Sequence, residues 1–539
     1  MEDFGEYDYI VAGGGTAGCV LANRLSRDPN VNVLLLEAGG KDNWIWIHIP
    51  VGYLFCIGNP RTDWCYQTEP EAGLNGRSIN YARGRVLGGS SSINAMIYMR
   101  GQSHDYERWA AHTGDARWNW ESVSAVFRQS ENHWAGKTEH HGADGEWRVE
   151  RQRLRWDVLD RFAEAAIQAG VRRSPDFNVG DNEGVGLFEV NQKRGVRWNT
   201  SKAFLKPARG RRNLRVVTGA LIARVTLQGK RASGVEFLLE GVPRQARARR
   251  ETILTAGSVG SPAILQRSGI GPAQTLAAAG IALAHDLPGV GRNLQDHLQL
   301  RSVFKVERIP TLNERAGTLF GKGMMALEYA LLRTGPLTMA PSQLGLFARS
   351  RPEEITPDLQ YHVQPLSLDK FGDPLHTFPA FTASVCNLRP ASRGTIDIRD
   401  GDPASPPKIA PCYLSDEADR QTAVRALRLT RKIAHQPALA PFGVDEYLPG
   451  PSVTTDEQFI QAAGDLGTTI FHPVGTCAMG PADNEMAVTD SELRVRGIDG
   501  LRVIDASVMP FITSGNTNTP TLMIAERGAA LLLDAARQR

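Results

Sequence analysis

The chain has 539 residues, of which 42% are hydrophobic and 22% charged, with a formal net charge of +3. This balance is ordinary for a globular enzyme and does not predict nucleic acid or an anionic membrane as a partner. No apolar run reaches the ~18–20 residues that span a bilayer, and the acidic N-terminus leads directly into a predicted strand without a signal peptide. We therefore expect a cytoplasmic protein, and the length predicts two domains.

A strand–helix–strand pattern begins at residue 8. Tyr9 to Ala12 predicts a buried parallel strand, Thr16 to Leu25 a helix, and Val33 to Leu36 a second strand that ends on Glu37. The turn between the first strand and the helix is rich in glycine. This order of elements is typical of a dinucleotide-binding unit.

The turn contains Gly13, Gly15 and Gly18 in the spacing G-x-G-x-x-G. The first glycine permits the tight turn, the second lets the backbone approach a pyrophosphate, and the third lets the helix pack on the strand. The N–H groups at the helix N-terminus would bind the phosphates. Glu37 lies 19 residues after Gly18, where an acid binds ribose hydroxyls and repels a 2′-phosphate. The pattern therefore favours FAD or NAD over NADP.

Further along the chain, His140-His141 is interpreted as part of a loop, and the arginine-rich stretch 244–250 as a solvated strand edge or loop. A second glycine pattern, Gly321-x-Gly323-x-x-Ala326, follows no apolar strand, and Met324 to Leu332 predicts an amphipathic helix there. We therefore assign no nucleotide site to it. The six cysteines are scattered without a C-x-x-C motif, which predicts free thiols and no metal site.

Other elements follow from short apolar runs and helix-start signals. The expected meander strands are 213–217, 221–225 and 234–237, followed by a strand over 251–255, a helix opening at 261–266 with Pro262 in its first turn, a late strand over 501–504 and a closing helix over 519–536 with Pro520 near its start. Between about 300 and 460, strand-like segments (359–363, 381–388, 395–398) alternate with amphipathic helices such as 416–433. This region predicts a second domain on a mostly antiparallel sheet.

Five further motifs resemble one family. They are Gly-Gly-Ser-Ser-Ser within 84–107, Gly-Ser-Val-Gly-Ser-Pro-Ala within 257–271, Pro-Gly-Val-Gly-Arg-Asn-Leu-Gln-Asp-His at 288–297, His-Pro-Val-Gly-Thr at 472–476 and Asn-Thr-Asn-Thr-Pro-Thr at 516–521. Their sequences and order resemble those of the glucose–methanol–choline (GMC) oxidoreductases. The resemblance extends from residue 8 to about residue 527.

The resemblance implies an α/β fold (α+β overall), with a Rossmann-like FAD-binding domain interleaved with a substrate domain on a mostly antiparallel sheet. We expect FAD-binding segments at 1–155, 196–300 and 465–539 and substrate-domain segments at 156–195 and 301–464. It also implies FAD rather than NAD. The fingerprint and the resemblance together assign these residues to FAD binding: Gly13, Gly15, Thr16, Ala17, Gly18, Glu37, Ala38, Val86, Gly88, Ser90, Asn94, Ala95, Met96, Ile97, Ile222, Ala256, Gly257, Asp505, Ala506, Asn518, Thr519 and Pro520.

One departure from the family concerns the flavin link. Some choline-oxidising members carry a histidine two residues after the paired serines, joined covalently to FAD. Here that position is Ile93, which has no nucleophile. We therefore expect FAD to be held non-covalently.

The resemblance implies oxidation of an alcohol by hydride transfer to flavin N5. His472 falls where the family places its active-site histidine and suits a general base near neutral pH. Asn516 falls at the partner position and can orient the substrate hydroxyl. His297 is interpreted as structural.

Three alternatives stay open at this point: choline dehydrogenase proper, a cyanohydrin lyase in which FAD is redox-silent, and an inactive flavin-binding relative. The electron acceptor is expected to be a quinone or another carrier, with oxygen as the alternative. Residues near Tyr53, Trp64, Tyr361 and Gln364 are candidates for the substrate pocket, but the sequence does not identify the alcohol.

Overall fold

A computed structural model describes residues 2–369 and 373–538. The α-helices are α1 (Thr16–Leu25), α2 (Ile45–His48), α3 (Tyr53–Cys56), α4 (Ser103–Thr113), α5 (Trp120–Ser130), α6 (Asp157–Gln168), α7 (Lys206–Ala208), α8 (Gly257–Arg267), α9 (Ala273–Ala278), α10 (Leu312–Ala316), α11 (Leu319–Leu332), α12 (Glu417–Ala434), α13 (Asp456–Leu466) and α14 (Asn518–Arg537). The strands are β1 (Glu2–Ala12), β2 (Val33–Glu37), β3 (Tyr66–Gln67), β4 (Asn80–Tyr81), β5 (Glu131–His133), β6 (Trp147–Val149), β7 (Gly184–Leu187), β8 (Gln192–Lys193), β9 (Val196–Arg197), β10 (Leu214–Thr218), β11 (Ala220–Gln228), β12 (Arg231–Leu239), β13 (Val242–Leu254), β14 (Ile270–Gly271), β15 (His285–Asp286), β16 (Leu298–Lys305), β17 (Leu344–Ala348), β18 (Leu359–Gln364), β19 (Ala380–Asn387), β20 (Thr395–Asp397), β21 (Lys408–Ala410), β22 (Asp445–Leu448), β23 (Gly467–Thr469) and β24 (Leu501–Val503).

The first sheet has seven strands in the order β10-β2-β1-β13-β12-β11, with β24 also paired to β13. Strands β10, β2, β1, β13 and β24 are parallel, whereas β11, β12 and β13 form an antiparallel meander. The predicted parallel strand, helix and second strand at residues 9–37 are confirmed. The strand predicted at 213–217 is not part of the meander, because it pairs with β2 as an edge strand.

The N-terminus extends the first strand further than predicted. β1 begins at Glu2 because its acidic residues pair with the arginine-rich part of β13. Arg247 contacts Asp3 at 2.9 Å, and Arg249 contacts Asp8 at 3.1 Å. The stretch 244–250 is a strand with Arg247 and Arg249 exposed to solvent, as one of the two interpretations expected; it is neither a loop nor a sheet edge, since β13 pairs with β1 and, up to Arg247, with β12.

The second sheet is antiparallel throughout, in the order β22-β16-β19-β18-β17-β7 with β23 also paired to β16. This confirms the mostly antiparallel second sheet. The strand predicted over 395–398 does not join it, because β20 pairs with β21 in a separate two-stranded sheet. The division of the chain into five domain segments stays a prediction.

Helix α8 begins at Gly257, four residues before the predicted start. Pro262 is therefore inside the helix instead of in its first turn. Proline has no N–H to donate to the carbonyl four residues earlier. The Thr476 hydroxyl donates to that carbonyl, Ser258 O, at 2.7 Å, so the helix continues through the proline.

The first and last long helices pack against each other. Thr16 Oγ1 donates to Asn518 Oδ1 at 2.8 Å, and Arg24 forms an ion pair with Glu526 at 2.6 Å. The nucleotide fingerprint at the start of α1 is therefore adjacent to the start of α14. The closing helix is confirmed within two residues at each end.

Helix α11 confirms the predicted helix over 324–332 and starts five residues earlier. Gly321, Gly323 and Ala326 all lie inside it, so the second glycine pattern is no phosphate loop. The helix is not amphipathic in the usual sense, because its outward side carries large apolar residues. None of the described helices is long and apolar enough to cross a membrane. The cytoplasmic location stays a prediction.

Candidate active site

A single cavity joins the nucleotide fingerprint to His472. Its wall contains most of the residues singled out from the sequence: Gly13, Gly15, Thr16, Ala17, Glu37, Ala38, Ser90, Asn94, Ala95, Met96, Ile97, Ile222, Ala256, Gly257, His472, Asp505, Ala506, Asn516 and Asn518. Five do not line it: Gly18, Val86, Gly88, Thr519 and Pro520. Those five lie in the layer that supports the wall, and their contact with FAD stays a prediction.

The glycines of the fingerprint are required by close backbone contacts. Gly13 has φ +127°, and a Cβ there would lie 2.6 Å from Thr255 O. A Cβ on Gly18 would lie 1.8 Å from Gly13 O, so α1 could not pack on the turn. At Gly15 the nearest atoms would be 3.9 Å away, which leaves space in front of this part of the wall.

The Glu37 carboxyl accepts hydrogen bonds from the backbone of two loops. Its Oε2 accepts from Gly14 N at 2.8 Å, and its Oε1 accepts from Gly39 N at 2.7 Å. Burial raises the pKa of this carboxyl to about 7 against those two hydrogen bonds. The predicted ribose ligand thus also holds the protein backbone.

The serine-rich loop forms a short 3₁₀ helix, Gly89–Ser92, beside the fingerprint. Gly88 N donates to Gly14 O at 2.8 Å, so the two loops are joined directly. Ile93 is 3% exposed, lines the cavity and packs near Val86. The tethering position of the family is therefore occupied by an apolar side chain at the cavity wall.

Asp505 fixes the start of α8 at the cavity. Its Oδ2 accepts from Gly257 N at 2.9 Å, and its Oδ1 accepts from Ser507 N at 2.9 Å. Gly257 has φ +75°, and a Cβ there would meet no atom within 4 Å. The backbone at this point is therefore open to a bound group.

The donors of the cavity fit a dinucleotide. Helices α1 and α14 both begin at its wall without a side-chain cap, so their first N–H groups stay available for phosphate or carbonyl oxygens. Asn518 Nδ2 is buried and has no hydrogen-bond partner among the described residues. These uncapped helix starts, the unpaired amide and the open glycines fit FAD.

At the other end of the cavity, His472 belongs to a chain of hydrogen bonds that fixes its tautomer. His297 Nε2 lies 3.0 Å from Leu388 O, and a carbonyl only accepts, so His297 carries its proton on Nε2. Burial lowers the pKa of His297 to about 4, which leaves Nδ1 as an acceptor. His472 Nδ1 lies 3.1 Å from it and must donate.

The Nε2 atom of His472 accepts a hydrogen bond from Asn516. Burial, followed by the nearby His297, lowers the pKa of His472 well below 6.5, so His472 is neutral and its Nε2 carries a lone pair. Asn516 Nδ2 lies 3.0 Å from Nε2 and donates to it, while Asn516 Oδ1 accepts from Gln360 at 3.3 Å. His472 is therefore prepared as a proton acceptor at the cavity wall.

Asp296 positions both histidines through their backbones. Its Oδ1 accepts from His472 N at 2.8 Å and from His297 N at 2.9 Å. Its Oδ2 accepts from the hydroxyls of Tyr413 and Thr469 at 2.5 and 2.6 Å. The sequence indicated none of these roles for Asp296, and the interpretation of His297 as structural overlooked its contact with His472.

Strand β18 contributes alternate residues to the cavity. His362 and Gln364 line it, as do Tyr53 and Trp64 from other segments. Tyr361 points to the other face of the sheet, where its hydroxyl donates to Ala426 O at 3.2 Å. Tyr361 itself does not line the cavity, because successive side chains of a strand alternate between faces, but its neighbour His362 does.

The cavity wall presents little negative charge near His472, because the Asp296 carboxylate that accepts from His472 N lies outside that wall. Among the described residues of its wall, the carboxylates are Glu37 and Asp505, both bonded to the nucleotide-side loops. A positively charged wall residue near His472 is Arg83, whose guanidinium donates to Phe471 O at 2.6 Å. The wall there is otherwise built from neutral polar and aromatic groups.

A separate buried group, which the sequence did not indicate, contains Glu131, His133 and His141. The two imidazoles stack at 3.8 Å, and Arg100 contacts Glu131 at 2.8 Å. Hydrogen bonds to Asp176 and Glu131 outweigh burial and raise the pKa of His141 to about 9. Glu131 and His141 thus belong to a buried ion network with Arg100 and Asp176.

Comparisons with known proteins cover nearly the whole chain. Models of the GMC oxidoreductase family match residues 7–299 and 390–525. The sequence is 39% identical over 531 residues to an alcohol dehydrogenase [acceptor] of Pseudomonas putida, covering 98% of this chain and 96% of that protein. It is 41% identical over 529 residues to an oxygen-dependent choline dehydrogenase of Vibrio vulnificus (strain YJ016), covering 98% and 94%.

A solved structure has a similar fold over nearly the whole chain. Pyridoxine 4-oxidase from Mesorbium loti matches with a TM-score of 0.88 and 32% sequence identity, covering 97% of this chain and 98% of that one. The likeness therefore includes both seven-stranded sheets.

Proposed function

This chain belongs to the GMC oxidoreductase family, whose members act on CH–OH groups with FAD, and we propose that it oxidises an alcohol to the aldehyde or ketone with His472 as general base. The observation that carries the proposal is the hydrogen-bond chain from Leu388 O through His297 to His472. It leaves a neutral imidazole with a lone pair at the cavity wall. A base in this state can accept the proton of an alcohol hydroxyl.

Asn516 orients the substrate in this proposal. Its amide nitrogen carries two hydrogens, of which one is donated to His472 Nε2. An alcohol that reaches the base displaces this hydrogen bond, because Nε2 has a single lone pair, and the amide can then donate to the alcohol oxygen while the hydroxyl proton faces Nε2. Asn516 itself accepts no proton, and Gln360 fixes the direction of its amide through Oδ1.

FAD, when bound, supplies the acceptor of the hydride at its N5 atom. The residues proposed to hold it are those of the fingerprint, the serine-rich loop and the starts of α8 and α14. We propose non-covalent binding because Ile93 offers no atom that could bond to the flavin.

The substrate class proposed is a neutral alcohol. One feature weighs against choline, whose quaternary ammonium is bound by negative charge or by aromatic faces. No carboxylate among the described wall residues lies beside His472, and Arg83 adds a positive charge there. Tyr53, Trp64 and Tyr66 supply aromatic surface, which an apolar or aromatic alcohol can also use.

Anaerobic spectroscopy tests the proposal. The purified enzyme is mixed without oxygen with neutral primary and secondary alcohols, with choline and with a cyanohydrin, and the FAD absorbance is followed. Bleaching by a neutral alcohol but not by choline supports the proposal. Bleaching by choline alone favours choline dehydrogenase, and cyanohydrin cleavage without any bleaching favours a redox-silent lyase.

The electron acceptor proposed is a quinone or another carrier. After anaerobic reduction, the enzyme is mixed with either a soluble quinone or oxygen, and recovery of the FAD absorbance is timed. Faster recovery with quinone supports a dehydrogenase, and faster recovery with oxygen an oxidase.

A further inference from the structure

The outward side of α11 exposes a continuous set of large apolar residues. The exposed fractions are 88% for Leu319, 79% for Phe320, 50% for Met324, 51% for Leu327, 72% for Leu331 and 65% for Leu332. We call these six residues the apolar face. Single exposed apolar residues are normal on proteins, but a contiguous group marks a surface that binds something.

The helix presents this face as a ridge. Its 14 residues span about 21 Å, and Phe320, Met324, Leu327 and Leu331 follow the spacing of one helix side. On the opposite side Tyr329 is buried and donates to Gly195 O at 3.1 Å. The helix is therefore attached along its inner side, and the apolar face is directed outward.

Exposed basic residues lie on α11, next to it in the sequence, and in the segments that contact it. Tyr329 connects α11 to the segment at Gly195, and Arg153 Nε donates to Arg333 O at 2.9 Å, which brings two neighbouring segments to the end of the helix. The acids of residues 311–334 are Glu314, in a capping box with Thr311, and Glu328, which accepts from Thr334 at 3.1 Å; the three basic residues of the same stretch outnumber them. The exposed basic residues here are Arg153, Lys193, Arg194, Arg315, Lys322 and Arg333.

The same surface leads to the substrate end of the cavity. The 3₁₀ helix Pro336–Thr338 follows α11 and packs against Pro50–Gly52, which joins α2 to α3. Tyr53 in α3 and Ser342 beyond that 3₁₀ helix both line the cavity. Phe55, also on α3, is 48% exposed.

We propose that the apolar face docks α11 flat on a bilayer surface that contains anionic phospholipid. Helices with an apolar side and basic flanks bind in this way, with the apolar side in the acyl boundary and the cations among the headgroups. A second copy of this chain is the less suitable occupant, because it would bring the exposed basic residues of two copies close together. The proposal is independent of the reaction, and it would allow an apolar substrate or acceptor to enter the cavity from the membrane.

Vesicle co-sedimentation of the FAD-loaded full-length protein tests this. The vesicles are phosphatidylcholine alone or phosphatidylcholine with phosphatidylglycerol. We expect the protein to pellet with the anionic vesicles, and Phe320→Ser/Leu327→Ser to bind them at least about tenfold more weakly. Lys322→Gln should weaken binding to anionic vesicles about fivefold and leave binding to neutral vesicles unchanged.

Matched controls separate docking from general surface effects. Leu283→Ser and Ile355→Ser remove exposed apolar residues elsewhere, at 52% and 78% exposure, and should pellet like the wild type. Unchanged FAD absorbance and melting temperature show that each variant is folded. The proposal is overturned if the wild type does not pellet, or if the double variant pellets equally. It is also overturned if sedimentation velocity shows a wild-type dimer that the double variant converts to a monomer, since a second copy would then cover the face.

Discussion

His297 Nδ1 lies 3.1 Å from His472 Nδ1, and this contact determines which nitrogen of His472 faces the cavity as a base. Because Leu388 O requires the proton of His297 on Nε2, the proton between the two rings belongs to His472. One neutral histidine thus sets the tautomer of the other. His297 is a positioning residue, since it reaches the reaction only through His472.

His297→Phe should slow anaerobic flavin reduction by about tenfold while FAD stays bound. Phenylalanine keeps the ring volume but cannot accept the His472 proton, and an unsatisfied buried donor costs roughly 1–3 kcal/mol. Stopped-flow reduction with a saturating alcohol measures this. His297→Gln, whose amide oxygen can accept, should recover part of the rate. A wild-type rate in the phenylalanine variant would show that the tautomer is fixed by something else.

His472→Ala should lose at least about 10²-fold in the same reduction step, because a positioned base typically contributes about 10²–10⁴-fold. Asn516→Ala should lose less, since it removes an orienting hydrogen bond but leaves the base. Reoxidation of chemically reduced enzyme serves as the control and should be unchanged in both, because it uses no alcohol proton. If His472→Ala reduces its flavin at the wild-type rate, the base is another residue.

The pH profile of flavin reduction should show no acid limb at the ordinary histidine value of 6.5. Burial lowers the pKa of His472, so the neutral base persists as the pH falls through 6.5 and is protonated only below it. Rate constants of flavin reduction are measured from pH 5 to 9, with enzyme stability checked at each pH. They show the pH at which the rate falls. A midpoint at or above 6.5 would contradict the assignment.

Glu37→Gln should weaken FAD binding by about 10- to 100-fold, since charge-assisted hydrogen bonds are worth roughly 1.5–3 kcal/mol. In the wild type, Gly14 N and Gly39 N both donate to the Glu37 carboxylate. In the variant, the side-chain NH₂ group would face one of these donors and could not accept from it. Equilibrium dialysis measures free FAD. Glu236→Gln, on β12 in a surface ion pair with Arg224, is the matched control and should bind FAD normally. Equal affinity in both variants would remove Glu37 from the site.

Acid precipitation should release the FAD into the supernatant, because Ile93 occupies the tethering position. The supernatant and the washed pellet are compared by absorbance and fluorescence. Yellow colour that stays in the washed pellet would indicate a covalent link through a different side chain.

The elements predicted best are those determined by residues that lie close together in the sequence. The glycine turn, α1 and the acid at the end of β2 lie close together in the sequence, and each follows from spacing alone. Glu37, His472 and Asn516 are accordingly identified from sequence motifs, and all three line one cavity. The family resemblance supplied the roles of the last two.

The errors arise at residues whose position depends on contacts with segments far away in the sequence. His297 and His472 are 175 residues apart, so no local pattern shows their contact. The sequence near Tyr361 does not show that His362 rather than Tyr361 lines the cavity, because the face depends on how β18 pairs with β17 and β19. The start of α8 was missed because Thr476, far along the chain, compensates for Pro262.

The contact between Thr16 and Asn518 joins residues 502 positions apart. During synthesis, one wall of the cofactor site therefore leaves the ribosome long before the other wall has been made. The pocket is incomplete until α14 has emerged from the exit tunnel and packed on α1. A complete flavin site consequently requires the synthesis of α14.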